Sequence, residues 1–327
     1  MKNLAAALVN ITETVLTMRA RRKARGRIRQ ARKHPLRDWI EAFLQAALMV
    51  LVINQFLLQA YRIPSGSMIR TFIEGDRIFV NKVVYGPELL PGISRLPGFA
   101  TPERNEVIIF VNPSYISRGA LFTLLQRTIY MLTLSLVDID RDAISNEARA
   151  HLLIKRAVGV GGDRFRNDPF GNIEVLPAGS DQWIPEGEFQ DLADNHYELQ
   201  RLIDPQGYQV IHLGARALAL AETGAELTAE QQSAADEMRR TPIRDPFEFE
   251  RVRHGTLFSA APHLARYRRR YQFVENGWYV PANRILGLGD NRDNSRDGRY
   301  FGPVHEQNVL GRAMIIYWPI SRAGRVY

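Results

Sequence analysis

Ala46-Ala47-Leu48-Met49-Val50-Leu51-Val52-Ile53 is the unbroken centre of an apolar run from Trp39 to Tyr61, and that run flows directly into Ile63-Pro64-Ser65-Gly66-Ser67-Met68. At 1.5 Å per residue the run covers a hydrocarbon core of ~30 Å, so it reads as a transmembrane helix. It sets two small hydroxyl residues, flanked by Pro and Gly, a few residues from a membrane surface. Glu41, Gln45, Asn54, Gln55 and Gln59 weaken the pattern, but most lie towards its ends, where polar groups reach the interface. A buried core helix is the competing reading.

Charge sets the direction. The 327-residue chain has a formal charge of +8, yet residues 19–37 alone hold ten Lys or Arg and no Asp or Glu. Taking that +10 from +8 leaves the remainder at −2. The basic character is one local block rather than a nucleic-acid-binding surface spread over the fold. The positive-inside rule then makes 1–38 a cytoplasmic basic segment, 39–61 the anchor and 62–327 the extracytoplasmic domain. A cleaved secretory signal is the rival, but the segment starts late and Leu58-Gln59-Ala60 has a bulky residue where a small one is expected. Ahead of the block, Leu4, Leu8, Ile11, Val15 and Met18 share one helical stripe, too short and polar to span. It suits the inner membrane face, a partner helix or a frayed terminus.

Beyond the anchor the pattern is mainly β. Arg77–Val84, Glu106–Val111, Leu152–Val158, Arg284–Leu288 and Ala313–Trp318 are rich in β-branched and aromatic residues and most end at turn formers. No repeat or βαβ alternation occurs, which argues for an antiparallel sheet. Two stretches interrupt it, at about 114–150 and 180–272. The first contains an apolar run from Leu121 to Val137, which reads as a helix covering a sheet face or resting on the membrane. In the second, a mixed α/β insertion, Thr228 and Gln231 form a capping box that opens a helix to about Arg240.

A serine hydroxyl needs a neighbouring base to act as a nucleophile at neutral pH. With no cysteine in the chain, thiol chemistry and thiolate metal sites are excluded. None of the seven histidines lies in a strand beside a carboxylate that would orient it. Lysine is the other base, and it must be neutral, which takes a dry, apolar setting. Lys155 sits in Leu152-Leu153-Ile154-Lys155-Arg156-Ala157-Val158, a strand of the buried sort; an edge-strand lysine facing water is the alternative. Gly289-Asp290-Asn291-Arg292-Asp293-Asn294-Ser295-Arg296-Asp297-Gly298-Arg299 packs three Asp, two Asn and three Arg into one short loop, which suggests an internal network of ion pairs and hydrogen bonds. A calcium loop is the rival, but EF-hand spacing and the terminal Glu are absent.

Together these segments resemble the type I signal peptidases, membrane-anchored serine proteases that remove signal peptides from exported proteins. The resemblance rests on Ile63–Met68, Gly75-Asp76-Arg77-Ile78-Phe79-Val80-Asn81-Lys82, Lys155–Gly159 with Gly162-Asp163, and Gly289–Asp297, continued by Phe301-Gly302-Pro303-Val304 and Leu310-Gly311-Arg312-Ala313. It covers less than half the chain. It implies a mainly β fold: an antiparallel catalytic sheet with a transmembrane helix before it. It implies Ser67 as nucleophile and Lys155 as neutral general base, with Ser65 adding a hydroxyl to an oxyanion hole beside the Ser67 N–H. Ser295 would orient the Lys155 amine. Asp290 with Arg292, and Asp297 with Arg299, would hold the loop, with Arg156 as a further support. Met68 would line the substrate groove.

No metal or other cofactor is implied. The implied partners are preproteins bearing signal peptides, membrane lipid and the protein export machinery, with no nucleic acid. The implied place is the inner (plasma) membrane, single-pass, N-terminus cytoplasmic. An extended substrate with small side chains fits the A-x-A pattern of signal-peptide cleavage sites. The chain departs from the family's pattern at three places. Arg70 replaces the usual Pro two residues after Met68, Gly161 stands where Pro is common, and Asn105 where Gly is common. An inactive, membrane-anchored peptide-binding protein is one alternative. A self-cleaving repressor of the Ser-Lys type is another, but it needs a helix-turn-helix where this chain has its apolar segment.

Overall fold

The structure, a computed structural model, describes residues 12–14, 16–23, 35–90, 94–133, 136–141, 149–168, 172–192, 197–199, 203–240 and 245–326. The chain divides into two units, Met1–Leu51 and Val52–Tyr327. In the first, residues 16–23 are helical, and helix α1 (Pro35–Phe56) starts there and ends in the second unit. Met18 of the amphipathic stripe is helical and exposed; Leu4, Leu8, Ile11 and Val15 lie outside the described residues.

Pro35 opens α1, the position where a missing N–H costs nothing. Among the described residues no helix is long and apolar enough to cross a membrane. The expected anchor of 39–61 is also too long at its C-terminal end. The helix stops at Phe56, and Leu58–Arg62 form strand β1, paired antiparallel with β2 (Arg77–Asn81). The polar residues inside the run explain this. Asn54 Oδ1 accepts from the Ala60 N–H (3.4 Å) and Gln59 Oε1 accepts from Lys82 Nζ (3.1 Å), so protein groups satisfy them.

The remaining strands are β3 (Glu88–Leu90), β4 (Ser94–Arg95), β5 (Val107–Val111), β6 (Leu152–Gly159), β7 (Arg164–Asn167), β8 (Ile173–Leu176), β9 (Ile184–Pro185), β10 (Trp278–Tyr279), β11 (Arg284–Leu288), β12 (Val304–His305), β13 (Val309–Trp318) and β14 (Gly324–Arg325). The main sheet runs β1-β2-β13-β5-β6-β11-β12, with β14 also on β13, and its pairs are antiparallel. Both faces of its centre are buried. Val107 and Ile109 of β5 pack with Met68, Phe72 and Ile78, while Ile108 and Phe110 pack with Tyr85, Ala157 and Ile285. Alternate residues thus serve two cores, which is why β5 reads as an unbroken apolar run. A smaller sheet, β10-β7-β8-β9, carries Phe165, Val175 and Trp278 into a third core with Leu286 and Leu288.

Among the described residues of the 180–272 insertion, expected to be mixed α/β, β9 is the one strand and the other regular elements are helices. Helices α3 (Glu186–Leu192), α4 (Pro205–Glu222), α5 (Ala229–Arg240), α6 (Pro246–Ala260) and α7 (Ala265–Glu275) follow one another after the other stretch's helix, α2 (Ala120–Leu132). Their starts are written locally. Asp204 and Asp245 cap α4 and α6, each followed by Pro at the first helical position. The Thr228–Gln231 capping box forms in both directions, at 3.2 and 2.9 Å, and its helix ends at Arg240. Phe249 and Ala215, then Leu257 and Ala219, fill the space between α4 and α6. Phe247 instead enters the core beneath the smaller sheet, its ring 5.7 Å from that of Trp278. Helix α2 buries Gln126 and Met131 and packs Tyr130 against the core that holds Tyr61, Val107 and Ile109, while Leu121, Leu124 and Leu125 stay exposed.

Thr228→Ala removes the bond that the Thr228 hydroxyl accepts from the Gln231 N–H and leaves the backbone donor of the other. It is expected to weaken α5 by about 1 kcal/mol, read as faster amide hydrogen exchange in Ala229–Arg240.

Candidate active site

The Ile63–Met68 stretch leaves β1 and tightens into a 3₁₀ turn at Gly66–Met68. Ser65 precedes the turn in extended conformation (φ −150°) and its side chain makes no capping bond, so its exposed hydroxyl is open to a ligand. Ser67 is buried. Met68, expected along a substrate groove, is 1% exposed and packs with Tyr61, Ile63 and Phe72; it seats the turn in the core.

Lys155 enters from β6, beside Ile108 of β5, and its Nζ donates to Ser67 Oγ at 2.7 Å. Burial pushes the amine down from 10.5 to about 8. Asp297 and Asp290 pull it up, and Arg299 and Arg292 push it down again, so desolvation decides the direction. Burial alone does not single out a base. Lys82 is also buried and also lowered to about 8 by desolvation. Its Nζ, however, donates to Gln59 Oε1 (3.1 Å) and the Asn54 carbonyl (3.4 Å), neither of which holds a proton to give. Lys155 faces a hydroxyl.

The Gly289–Arg299 loop closes over this pair as the expected ion-pair network, with different partners from those expected. Asp297 does pair with Arg299 (2.9 Å), and its other oxygen accepts from the Gly289 N–H (3.0 Å). Asp290 pairs with Arg156 rather than Arg292, through two bonds of 2.9 and 2.8 Å. Arg292 reaches Glu186 Oε1 at 2.6 Å and also donates to the Gly289 carbonyl. The Ser295 hydroxyl is buried without a hydrogen-bond partner and does not bond the Lys155 amine. It lies so close to Gly289 that a Cβ there would come within 2.2 Å of Ser295 Oγ and 2.6 Å of the Ser67 carbonyl, so only glycine fits.

Four residues that sequence reasoning did not assign complete the site. Asn291 donates from its backbone to the Ser67 carbonyl (3.1 Å) and from Nδ2 to the Gly66 carbonyl (2.9 Å), a two-point hold on the Ser67 turn. Thr71 donates to Asp290 Oδ2 (2.6 Å) and accepts from Arg156 (2.9 Å). Glu186 takes Arg292, and Tyr197 lies with its ring centroid 4.5 Å from the Arg156 guanidinium carbon. The density of uncharged hydrogen-bonding groups beside the charged ones in Gly289–Arg299 pointed to Asn291; nothing local pointed to Glu186 or Tyr197, which come from the insertion. A cavity of about 980 Å³ opens elsewhere, lined by Tyr85, Phe99, Arg127 and Glu306 but by neither Ser67 nor Lys155, so chemistry rather than concavity locates the site.

Two of the departures have a backbone cause. Asn105 has φ +68°, a left-handed conformation that Gly adopts freely and Asn tolerates best among other residues. Its carbonyl accepts from Arg156 (2.8 Å). Arg70 has φ +87°, which proline's ring forbids, and its guanidinium meets Glu198 at 3.1 Å.

The family model for signal peptidase, peptidase S26, matches residues 36–169 and 223–318. Similar proteins include the signal peptidase I of Aquifex aeolicus, 27% identical over 85% of this chain and 82% of its own length. That of Pseudomonas fluorescens is 26% identical over 89% and 77%, and that of Buchnera aphidicola subsp. Baizongia pistaciae 23% over 88% and 82%.

Restoring the family's common residue at position 70 is expected to harm this chain. Arg70→Pro should lower unfolding stability by more than about 1 kcal/mol in a urea titration, while Arg70→Gly, which takes φ +87° without strain, should stay within about 1 kcal/mol of the parent.

Proposed function

The chain belongs to the signal peptidase family, peptidase S26, and on that premise we propose how its residues divide the work. It is a serine endopeptidase that removes signal peptides from preproteins. Ser67 is the nucleophile and Lys155 the general base. The observation that supports this division is the 2.7 Å approach of a buried, pKa-lowered amine to a buried hydroxyl.

In the first step the neutral Nζ takes the hydroxyl proton as Ser67 Oγ attacks the scissile carbonyl. The Ser67 N–H and the Ser65 hydroxyl hold the oxyanion. The resulting ammonium returns its proton to the leaving amine, which breaks the peptide bond and leaves an acyl group on Ser67. Lys155, neutral again, takes a proton from water as the water oxygen attacks the acyl carbon, and the ammonium returns that proton to Ser67 Oγ as the ester C–O bond breaks and the signal peptide's new C-terminus leaves. Arg156 and Asp290, Arg299 and Asp297, and Arg292 hold the loop through all of this. The Ser295 hydroxyl, buried and unbonded, is within the same loop and is the group best suited to accept from the Lys155 ammonium when it forms.

Helix α1 is the proposed membrane anchor, with the N-terminal side cytoplasmic and the catalytic unit extracytoplasmic. Support comes from the ten basic residues in 19–37 and from the outward Trp39, Phe43, Leu44, Leu48 and Met49 of α1. Membrane lipid is therefore a proposed partner, and the export machinery, which delivers such substrates, a second.

Ser67→Ala and Lys155→Ala are expected to abolish cleavage of a preprotein in detergent, and Ser65→Ala to slow it by ~10²–10³. Wild-type rates from Lys155→Ala would remove the base assignment. The pH profile follows from the same amine: the reactive form is the unprotonated one, so kcat/KM should rise with pH and level off above about 8. A flat profile from pH 6 to 9 would contradict it.

A further inference from the structure

We propose that Glu186 and Tyr197, both supplied by the helical insertion, are positioning residues for the Ser67–Lys155 pair, acting through Arg292 and Arg156. The proposal rests on the reading of that pair as the catalytic dyad. A single oxygen, Glu186 Oε1, accepts from Arg292 Nη2 at 2.6 Å and from the Tyr197 hydroxyl at 2.7 Å. The ring of the same tyrosine lies 4.5 Å from the Arg156 guanidinium, close enough for cation–π attraction. One carboxylate thereby ties together the two arginines that flank Lys155. Arg156 is its neighbour on β6, and Arg292 comes from the loop above it.

The geometry makes this more than surface packing. Glu186 is 5% exposed and Arg292 1%, so each is the other's main charge partner in a dry setting. Arg156 in turn grips Asp290 and Thr71, and Thr71 lies four residues from Ser67. A displacement of Tyr197 is thus relayed along Arg156 to the turn that carries the nucleophile, and a displacement of Glu186 along Arg292 to the Gly289 carbonyl. The same insertion reaches this region at further points: Tyr208 donates to Asp293 Oδ1 (2.8 Å), the Ile203 N–H to Asp293 Oδ2 (3.1 Å) and the Asp245 N–H to the Asp293 carbonyl (3.0 Å), and Arg70 meets Glu198, the residue after Tyr197. An insertion with no evident chemistry of its own is therefore built into the support of the reaction centre.

Charge gives a signature that scaffolding alone lacks. Lys155 Nζ faces Ser67 from the turn and Asp290, Arg292, Asp297 and Arg299 from the loop, with Arg156 next along its own strand. Arg292 already pushes the amine down. Without the Glu186 carboxylate that push is no longer offset, and the amine should deprotonate at lower pH.

The test uses the full chain in detergent and a peptide with an A-x-A site. Glu186→Gln should cut kcat by about 10²-fold, the scale of a small misplacement of reacting groups, with KM little changed. Its acidic limb should move below the parent's, and Glu186→Gln/Arg292→Gln, which removes both charges, should bring the limb back. Tyr197→Leu, which breaks no buried ion pair, should lower kcat several-fold at unchanged KM. It carries the test alone should Glu186→Gln not fold, and unchanged kcat there would then overturn the proposal. So would Glu186→Gln with parental kcat and limb, or a loss of activity that tracks loss of folded protein with the limb unmoved. Lys155→Ala run in parallel separates the two readings. Cleavage by that variant would sink the dyad, whereas a dead Lys155→Ala beside a parental Glu186→Gln would sink the positioning role alone.

Discussion

A buried amine held 2.7 Å from an alcohol, which the proposed mechanism needs in its neutral form, is the constraint on which the rest of this structure depends. In water a lysine at pH 7 is almost entirely protonated and has no lone pair to offer. Moving its pKa from 10.5 to about 8 raises the neutral fraction at pH 7 on the order of 10²–10³-fold. The main sheet does this by burying Lys155 between two cores. The cost is paid in stability. Because the folded pKa lies below the unfolded one, the unfolded chain binds the extra proton, and stability from this group is lowest below about pH 8 and recovers as pH rises towards 10.5.

Around that amine the chain buries three arginines and two aspartates, all at 2% exposure or less. Buried pairs are weak contributors to stability, because desolvation cancels much of the attraction, but they are strict about geometry. That strictness suits a loop whose Gly289 backbone lies against Ser67 and Ser295 with no room for a side chain. It also keeps the local field balanced. Two anions raise the Lys155 pKa and two cations lower it, so burial rather than any one ion sets the result.

The Ser67 turn shows how a family's local solution is replaced. Where a proline would fix φ near −65°, this chain takes φ +87° at Arg70 and uses the long side chain to reach Glu198. The pair is exposed and worth at most about 1 kcal/mol, less than a buried contact. The turn's position is held more by Asn291, whose two bonds fix the Gly66 and Ser67 carbonyls, and by Met68 in the core.

The sequence by itself determined whatever is decided within a few residues. β-branched runs such as Val107–Val111 could only be strands, and the Thr228–Gln231 box set where α5 begins. The absence of cysteine and the lack of a supported histidine left a hydroxyl and a lysine as the chemistry. Tertiary structure decided everything that depends on meeting a distant group. Whether Lys82 or Lys155 faces a hydroxyl is a matter of which strand lies beside the Ser67 turn. Arg156 finds Asp290 at a separation of 134 residues and Arg292 finds Glu186 at 106, although closer acids stood in the sequence. The end of α1 at Phe56 belongs here too, since Asn54 and Gln59 read as blemishes in an apolar run until Ala60 and Lys82 are seen to satisfy them. Propensity and capping act through neighbours along the chain. Charge pairing and desolvation act through neighbours in space, and only packing supplies those.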